Sequence, residues 1–233
     1  CANLMEQFFL IFFGSLCYNN NMIDLKDYGI DMWDEETIIS FRRTLLNWYD
    51  QEKRDLPWRR TKKPYHIWVS EIMLQQTQVI TVIPYYERFL NWFPTIDKLA
   101  NADEERLLKA WEGLGYYSRV RNMQKAAQQV MTEFGGVFPS SYEDISKLKG
   151  IGPYTAGAIA SIAFDLPEPA VDGNVMRVMA RLFEVNYDIG DPKNRKIFQA
   201  LMERLIDPDR PGDFNQALMD LGTDIESAKN PRP

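Results

Sequence analysis

From Asp34 onward the apolar residues return every three or four positions. Ile38, Phe41, Leu45 and Trp48 form one stripe, and Arg42, Arg43 and Asn47 face away from it. That spacing is the signature of an amphipathic helix. Pro57 and Pro64 punctuate a loop, RDLPWRRTKKP, after which a second helix is expected over 66–78, and Pro84 and Pro94 bracket a third. Further helices are predicted over 103–112, over 118–134 with a stop at Gly135 and Gly136, and over 142–148. Four more follow over 153–164, 174–183, 192–205 and 213–225. No stretch of useful length alternates with a period of two, so the fold class is all-α, with ten or so short helices on short loops forming a two-lobed bundle.

The segment before Asp34 breaks this pattern. FFLIFFGSLCY (8–18) is apolar but too short to span a bilayer, which takes about 20 residues. Glu6 is the sole charge ahead of it, so it lacks the basic start of a signal peptide. Asn19 to Asn21 and an acidic run follow. Residues 1–31 are therefore expected to lie outside the domain, with a reduced, cytoplasmic setting for the chain and no membrane partner.

Composition narrows the chemistry. Of 233 residues, two are cysteines (Cys1, Cys17) and one is a histidine (His66). This excludes a disulfide scaffold, a four-Cys or Cys₂His₂ zinc site, and a Ser-His-Asp triad unless His66 serves it. The net charge of −6 would disfavour nucleic acid, but residues 1–40 hold seven acids against one base, and the remainder is neutral. Within that remainder, 42–63 carries eight bases against three acids, a local patch compatible with phosphate contact.

The sharpest local signal is LKGIGPYTAG (148–157). Gly150 and Gly152 are expected to allow a tight turn at positive φ, and Pro153 suits a first helical position. The outcome is helix, glycine hairpin, helix, with free N–H groups aimed outward to receive a phosphate without reading bases. Backbone carbonyls of the turn could also hold a monovalent cation.

Two carboxylates stand out. Glu71, in VSEIMLQQTQV, is a lone acid on an apolar, amide-bearing helix, where desolvation should favour the protonated form. Asp172 closes PEPAVDGNV just before the run Val175, Val178, Met179 and Leu182, so it would be an ionised group at a helix N-terminus. A plain surface acid and a plain helix cap are the simpler readings of each. One neutral and one charged carboxylate is nevertheless the pairing that glycosidic cleavage needs.

Five ordered motifs now coincide: RDLPWR (54–59), SEIMLQQTQV (70–79), AWEGLGYYSRVRN (110–122), LKGIGPYTAG and VDGNVMRVMAR (171–181). Together they resemble the adenine DNA glycosylases, the mismatch-specific branch of the helix-hairpin-helix, Gly/Pro-rich-loop, aspartate superfamily. The resemblance runs from about Trp33 to the last residues. It implies a six-helix barrel lobe over 61–165 containing the hairpin at 148–164, and a second lobe made of 32–60 with 166–233. It also implies a monomer acting on double-stranded DNA with A·8-oxoguanine or A·G mismatches, whose adenine is flipped into a pocket.

By that match Glu71 protonates the adenine, Asp172 stabilises the oxocarbenium-like sugar, Asn174 orients the site and Tyr154 shields or hydrogen-bonds the sugar. Trp58, Arg59 and Leu74 match the adenine pocket. Gln76 and Tyr116 match residues that wedge into the duplex, Gly150 and Gly152 match the phosphate-binding hairpin, and Arg54 fits a phosphate or structural role. Strand-nicking relatives carry a lysine where this chain has Tyr154, so the resemblance implies a monofunctional enzyme.

Two departures qualify it. Relatives carry a four-iron four-sulfur cluster on four cysteines, but Glu226 and Pro233 stand at the first two ligand positions, so no cluster and no cofactor are expected. Relatives also carry a C-terminal domain that recognises 8-oxoguanine. The sequence given shows none of it, so the chain is expected to be either a fragment or impaired in that recognition, which places the 8-oxoguanine preference, but not adenine excision, in question. Two alternatives stay open: a thymine or oxidised-pyrimidine glycosylase of the same superfamily, and a catalytically silent DNA-binding module.

Overall fold

The computed structural model describes residues 23–224, and among these every regular element is helical. Eleven α-helices follow in order: α1 (Glu35–Glu52), α2 (Pro64–Leu74), α3 (Val79–Trp92), α4 (Ile96–Ala100), α5 (Glu104–Trp111), α6 (Ser118–Glu133), α7 (Tyr142–Lys147), α8 (Pro153–Phe164), α9 (Gly173–Leu182), α10 (Arg195–Leu205) and α11 (Pro211–Asp224). Single 3₁₀ turns occur at Leu25–Tyr28, Pro57–Arg60 and Pro192–Asn194.

Local chemistry explains most boundaries. Asp34 caps α1 by accepting from the Thr37 N–H at 2.8 Å. Proline occupies the first turn of α2 and of α8, where its missing N–H has no intrahelical partner to lose. The expected bracket at Pro84 is wrong. Pro84 lies inside α3, in its second turn, and the Ile80 carbonyl that it leaves without a helical partner belongs to an exposed residue. The second helix also ends at Leu74 rather than Gln78, because Gln76 turns into the left-handed region at φ 56°.

Two separate cores define two lobes. The first is built around Trp68, Phe89, Leu107, Trp111 and Ile159, and the second around Leu45, Tyr49, Val175, Phe198 and Phe214. The first lobe holds seven α-helices (α2 to α8) rather than six, the extra one being the five-residue α4. Leu56 and Trp58, placed by sequence in the second lobe, pack into the first.

A second correction concerns the lead-in. Residues up to 31 were expected outside the domain, yet Leu25 and Ile30 are buried in the second core. Asp24 caps the intervening turn by accepting from the Lys26 N–H, and Gly29 closes it at φ 71°. The apolar segment 8–18 lies outside the described residues. No helix among those described is long and apolar enough to cross a membrane.

Helix α11 joins the halves, packing against α1 and α9 of the second lobe and against α8 of the first. Gly222 lets it approach the start of α9: a Cβ there would sit 2.7 Å from the Asn174 carbonyl oxygen.

Candidate active site

Between the lobes lies a cleft of about 490 Å³, within the size range of small-ligand sites. The first lobe contributes Trp58, Arg59, Glu71, Leu74 and Tyr154 to its wall, and the second contributes Asp172, Asn174, Gln216, Met219 and Asp220. Glu71 and Asp172, far apart in the chain, therefore face one space.

Each carboxylate is shaped by its helix. Every residue of α2 from Ile67 to Met73 is buried, and Glu71, within this mostly apolar run, is only 6% exposed. Burial pushes its carboxyl up to about 7. The Tyr154 hydroxyl, donating to Glu71 Oε2 at 2.8 Å, and the Arg59 charge pull the other way, while the negative charge of Asp172 adds to the rise. Burial likewise holds the Tyr154 phenol well above its ordinary range, so it stays protonated and able to donate.

Asp172 is the N-cap of α9 and is half-buried. Its Oδ1 accepts from the Val175 N–H at 2.8 Å and its Oδ2 from Asn174 Nδ2 at 2.8 Å. Asn174 is held in turn by Arg177 Nη2, donating to its Oδ1 at 2.5 Å, and by the close passage of Gly222. Both oxygens of Asp172 thus have N–H partners at a helix start, a setting that suits negative charge.

Behind the two acids lies a third that sequence reading missed. Asp220 is 2% exposed and accepts from Arg54 and, bidentately, from Arg59 at 2.7 and 3.0 Å. Arg59 also donates to Gln216 Oε1 at 3.2 Å and lies over the Tyr49 ring. Arg54, expected on a phosphate or in a structural role, lines the cleft while bound to Asp220. The signal was present in ALMDLG: one acid on an otherwise apolar helix turn, the same pattern that marked Glu71. Gln216 and Met219, whose sulfur lies 3.7 Å from the Tyr154 hydroxyl, carried no such mark.

Gln76 and Tyr116 are exposed and both adopt left-handed backbone, at φ 56° and 47°. In the hairpin, only Gly150 has positive φ, at 81°. A Cβ there would meet Asn122 at 2.8 Å. Gly152, expected to share that conformation, is instead the extended N-cap of α8 at φ −95°. His66 is half-buried, its ring edge-on to Tyr65, and does not line the cleft.

Among the described residues no group of three or more His, Cys, Asp or Glu side chains could hold a metal. Glu226 and Pro233 lie outside the described residues.

Two helical lobes, a glycine hairpin at the start of α8 and a paired acid site between the lobes define a helix-hairpin-helix protein. More particularly, residues 69–206, over half of the chain, match the HhH-GPD superfamily base excision DNA repair protein family, and the chain belongs to that family. It is 48% identical over 207 residues to an adenine DNA glycosylase of Rattus norvegicus, covering 85% of this chain and 40% of that protein. With an adenine DNA glycosylase of Buchnera aphidicola subsp. Baizongia pistaciae it shares 45% identity over 201 residues, covering 84% and 56%. The chain thus spans about half the length of these curated relatives. Among solved structures, a thermostable thymine-DNA glycosylase superposes with a TM-score of 0.76 at 28% identity, covering 84% of this chain and 91% of that one. A trapped endonuclease III–DNA covalent intermediate superposes with a TM-score of 0.71 at 21% identity, covering 86% and 91%, which shows the shared fold.

Proposed function

We propose that this chain is a monofunctional DNA glycosylase that hydrolyses the N-glycosidic bond of adenine mispaired with 8-oxoguanine or guanine in duplex DNA. The observation that carries the reading is the pair Glu71 and Asp172 on one cleft, one acid held protonated near neutral pH by burial and the other capped at a helix start. The adenine DNA glycosylases of rat and Buchnera, at 48% and 45% identity, supply the choice of base.

The chemistry follows from the two settings. The mismatched adenine rotates out of the stack into the cleft, and Glu71 gives its proton to purine N7. The C1′–N9 bond breaks, its electron pair leaving with the base, and positive charge develops on the sugar against the Asp172 carboxylate. Water adds to C1′ and loses its proton to one of the carboxylates, releasing free adenine and an abasic site. Asn174 and the α9 N–H groups hold Asp172, while Tyr154 keeps Glu71 aimed. Among the described residues no lysine lines the cleft, which supports the absence of an amine poised to form a Schiff base with the sugar and nick the strand.

The partner is duplex DNA. The α8 N-terminus and the carbonyls of the hairpin turn would seat a phosphate together with a monovalent cation, and Gln76 and Tyr116 would fill the gap that the flipped base leaves. The four-thiolate donor set of an iron–sulfur cluster does not fit this chain, whose two cysteines are Cys1 and Cys17 and which has Glu226 at the first ligand position. No step passes through iron.

Single-turnover assays on A·8-oxoguanine and A·G duplexes test the reading: free adenine and an alkali-labile abasic site are expected, without strand nicking. The fold shared with a thymine-DNA glycosylase favours one competing reading. Release of thymine from a G·T duplex, with adenine untouched, would establish it instead.

A further inference from the structure

The turn between α2 and α3 reaches the cleft wall, and the turn between α5 and α6 is tied to it. Each presents an exposed side chain from a left-handed, non-glycine residue, Gln76 at φ 56° and Tyr116 at φ 47°. Such residues stay in that region only where their surroundings over-determine it. The surroundings have one member in common. Arg119, in the first turn of α6, sends Nη1 to the carbonyls of Ile72, Met73 and Gln75 at 2.9, 3.3 and 2.6 Å. Its Nη2 reaches the carbonyls of Leu114 and Gly115 at 2.9 and 3.4 Å. The guanidinium also lies 5.2 Å from the Trp111 ring centroid and 5.7 Å from that of Tyr116. Trp111 Nε1 donates to the same Gly115 carbonyl at 2.9 Å.

The geometry points to Arg119 as a positioning residue that locks the Gln76 turn and the Tyr116 turn into one register. Its planar fork is what the job requires. One nitrogen serves the end of the helix bearing Glu71, the other serves the second turn, and a lysine ammonium offers a single point for both. The cation also meets carbonyls at the C-terminus of α2, where the helix dipole favours positive charge. Gln76, Tyr116 and Glu71 therefore keep fixed spacing without touching one another. This inference rests on the reading of Gln76 and Tyr116 as probes of the duplex.

Two measurements test it. The first is amide hydrogen exchange on the full chain without DNA, comparing the parent with Arg119→Lys and Arg119→Met. The Thr77 and Leu114 amides, each hydrogen-bonded within its own turn, should exchange at least about tenfold faster in both variants, while core amides of α3 and α6 keep their protection. A uniform rise across the core, failure of both variants to fold, or a change in one turn alone overturns the proposal. The second is a mutant cycle on affinity for an A·G duplex, pairing Arg119→Lys with the combined Gln76→Ala and Tyr116→Ala. If Arg119 acts through those two side chains, the triple variant should bind no more than about twofold weaker than the Gln76→Ala, Tyr116→Ala chain alone. Fully multiplicative losses overturn it. A parent chain that binds the duplex but releases no adenine would sink the glycosylase reading, and the exchange result, read without DNA, would still decide the clamp.

Discussion

Glu71 from the first lobe and Asp172 from the second face one cleft, and the two lobes prepare these carboxylates in opposite ways. In the first lobe Glu71 sits mid-helix within a run of seven consecutive buried positions, with a single hydroxyl donor. In the second, Asp172 stands at the open end of α9, both oxygens met by N–H groups. The functional group is nearly identical, and the difference lies in where on a helix it is mounted. A helix interior desolvates an acid, and a helix start solvates it with peptide dipoles. The two carboxyl groups thereby receive different surroundings from architecture rather than from residue type.

Substitutions can break that contrast, and removing either half should cost most. Glu71→Gln should lower the single-turnover adenine release rate by about 10²–10⁴-fold with duplex affinity retained, since an amide has no proton to transfer. Asp172→Asn should lose about 10²–10³-fold while unfolding at nearly the parent's denaturant midpoint, because asparagine caps a helix about as well as aspartate. Similar rates for the parent and Asp172→Asn would show that capping, not charge, is the role of that residue.

Next in size is the ion pair behind the site. Asp220→Ala strands Arg59, whose side chain is 12% exposed, along with Arg54. It should destabilise the fold by about 3–5 kcal/mol in urea titration.

The contrast also carries a sign in stability. The Glu71 carboxyl is raised from 4.5 to about 7 in the folded chain, so its folded form favours the bound proton. That stabilisation is complete below pH 4.5 and is lost as pH climbs through 7. Glu71→Gln should therefore raise stability by about 1–3 kcal/mol at pH 8 and by little at pH 4. Thermal unfolding at the two pH values checks this, and equal gains at both would contradict a buried, titrating acid.

The smallest effect sharpens the picture most. Adenine release should fall as pH rises past about 7, where Glu71 loses its proton. Tyr154→Phe removes the hydroxyl that lowers Glu71, so the falling limb should move to higher pH. A shift to lower pH would mean that Tyr154 supports the neutral acid instead.

Much of this was readable in the chain, and the failures have a shared cause. The limits of α8 were set locally, by Pro153 at one end and Asp165 in left-handed backbone at the other, and the expected 153–164 matches. Glu71 and Asp172 could be found because each violates its local pattern, an acid in an apolar run and an acid before one. Pro84 misled because a proline in the second turn, freeing only the carbonyl of the exposed Ile80, costs less than the rule implies. The five-residue α4 was too short to show a period. Leu25 and Ile30 looked like an unfolded lead-in because the second core they join, with α10 packed on the 25–28 turn, is completed far along the chain. Asp220 was marked locally as a lone acid on an apolar turn, but its arginine partners lie more than 160 positions away, and Arg119 owes its role to carbonyls 44 to 47 positions away as well as to those of its own turn.

The composition of the second core has a consequence for biosynthesis. Its earliest strand of chain, 25–49, leaves the ribosome long before 171–218, against which it must pack. At about 5–20 residues per second the delay is roughly six to forty seconds, during which the barrel lobe is made and can close on itself while Leu45, Tyr49 and their neighbours remain bare. The nascent polypeptide therefore exposes a greasy amphipathic helix upstream of an already folded body, a natural point of engagement for chaperones.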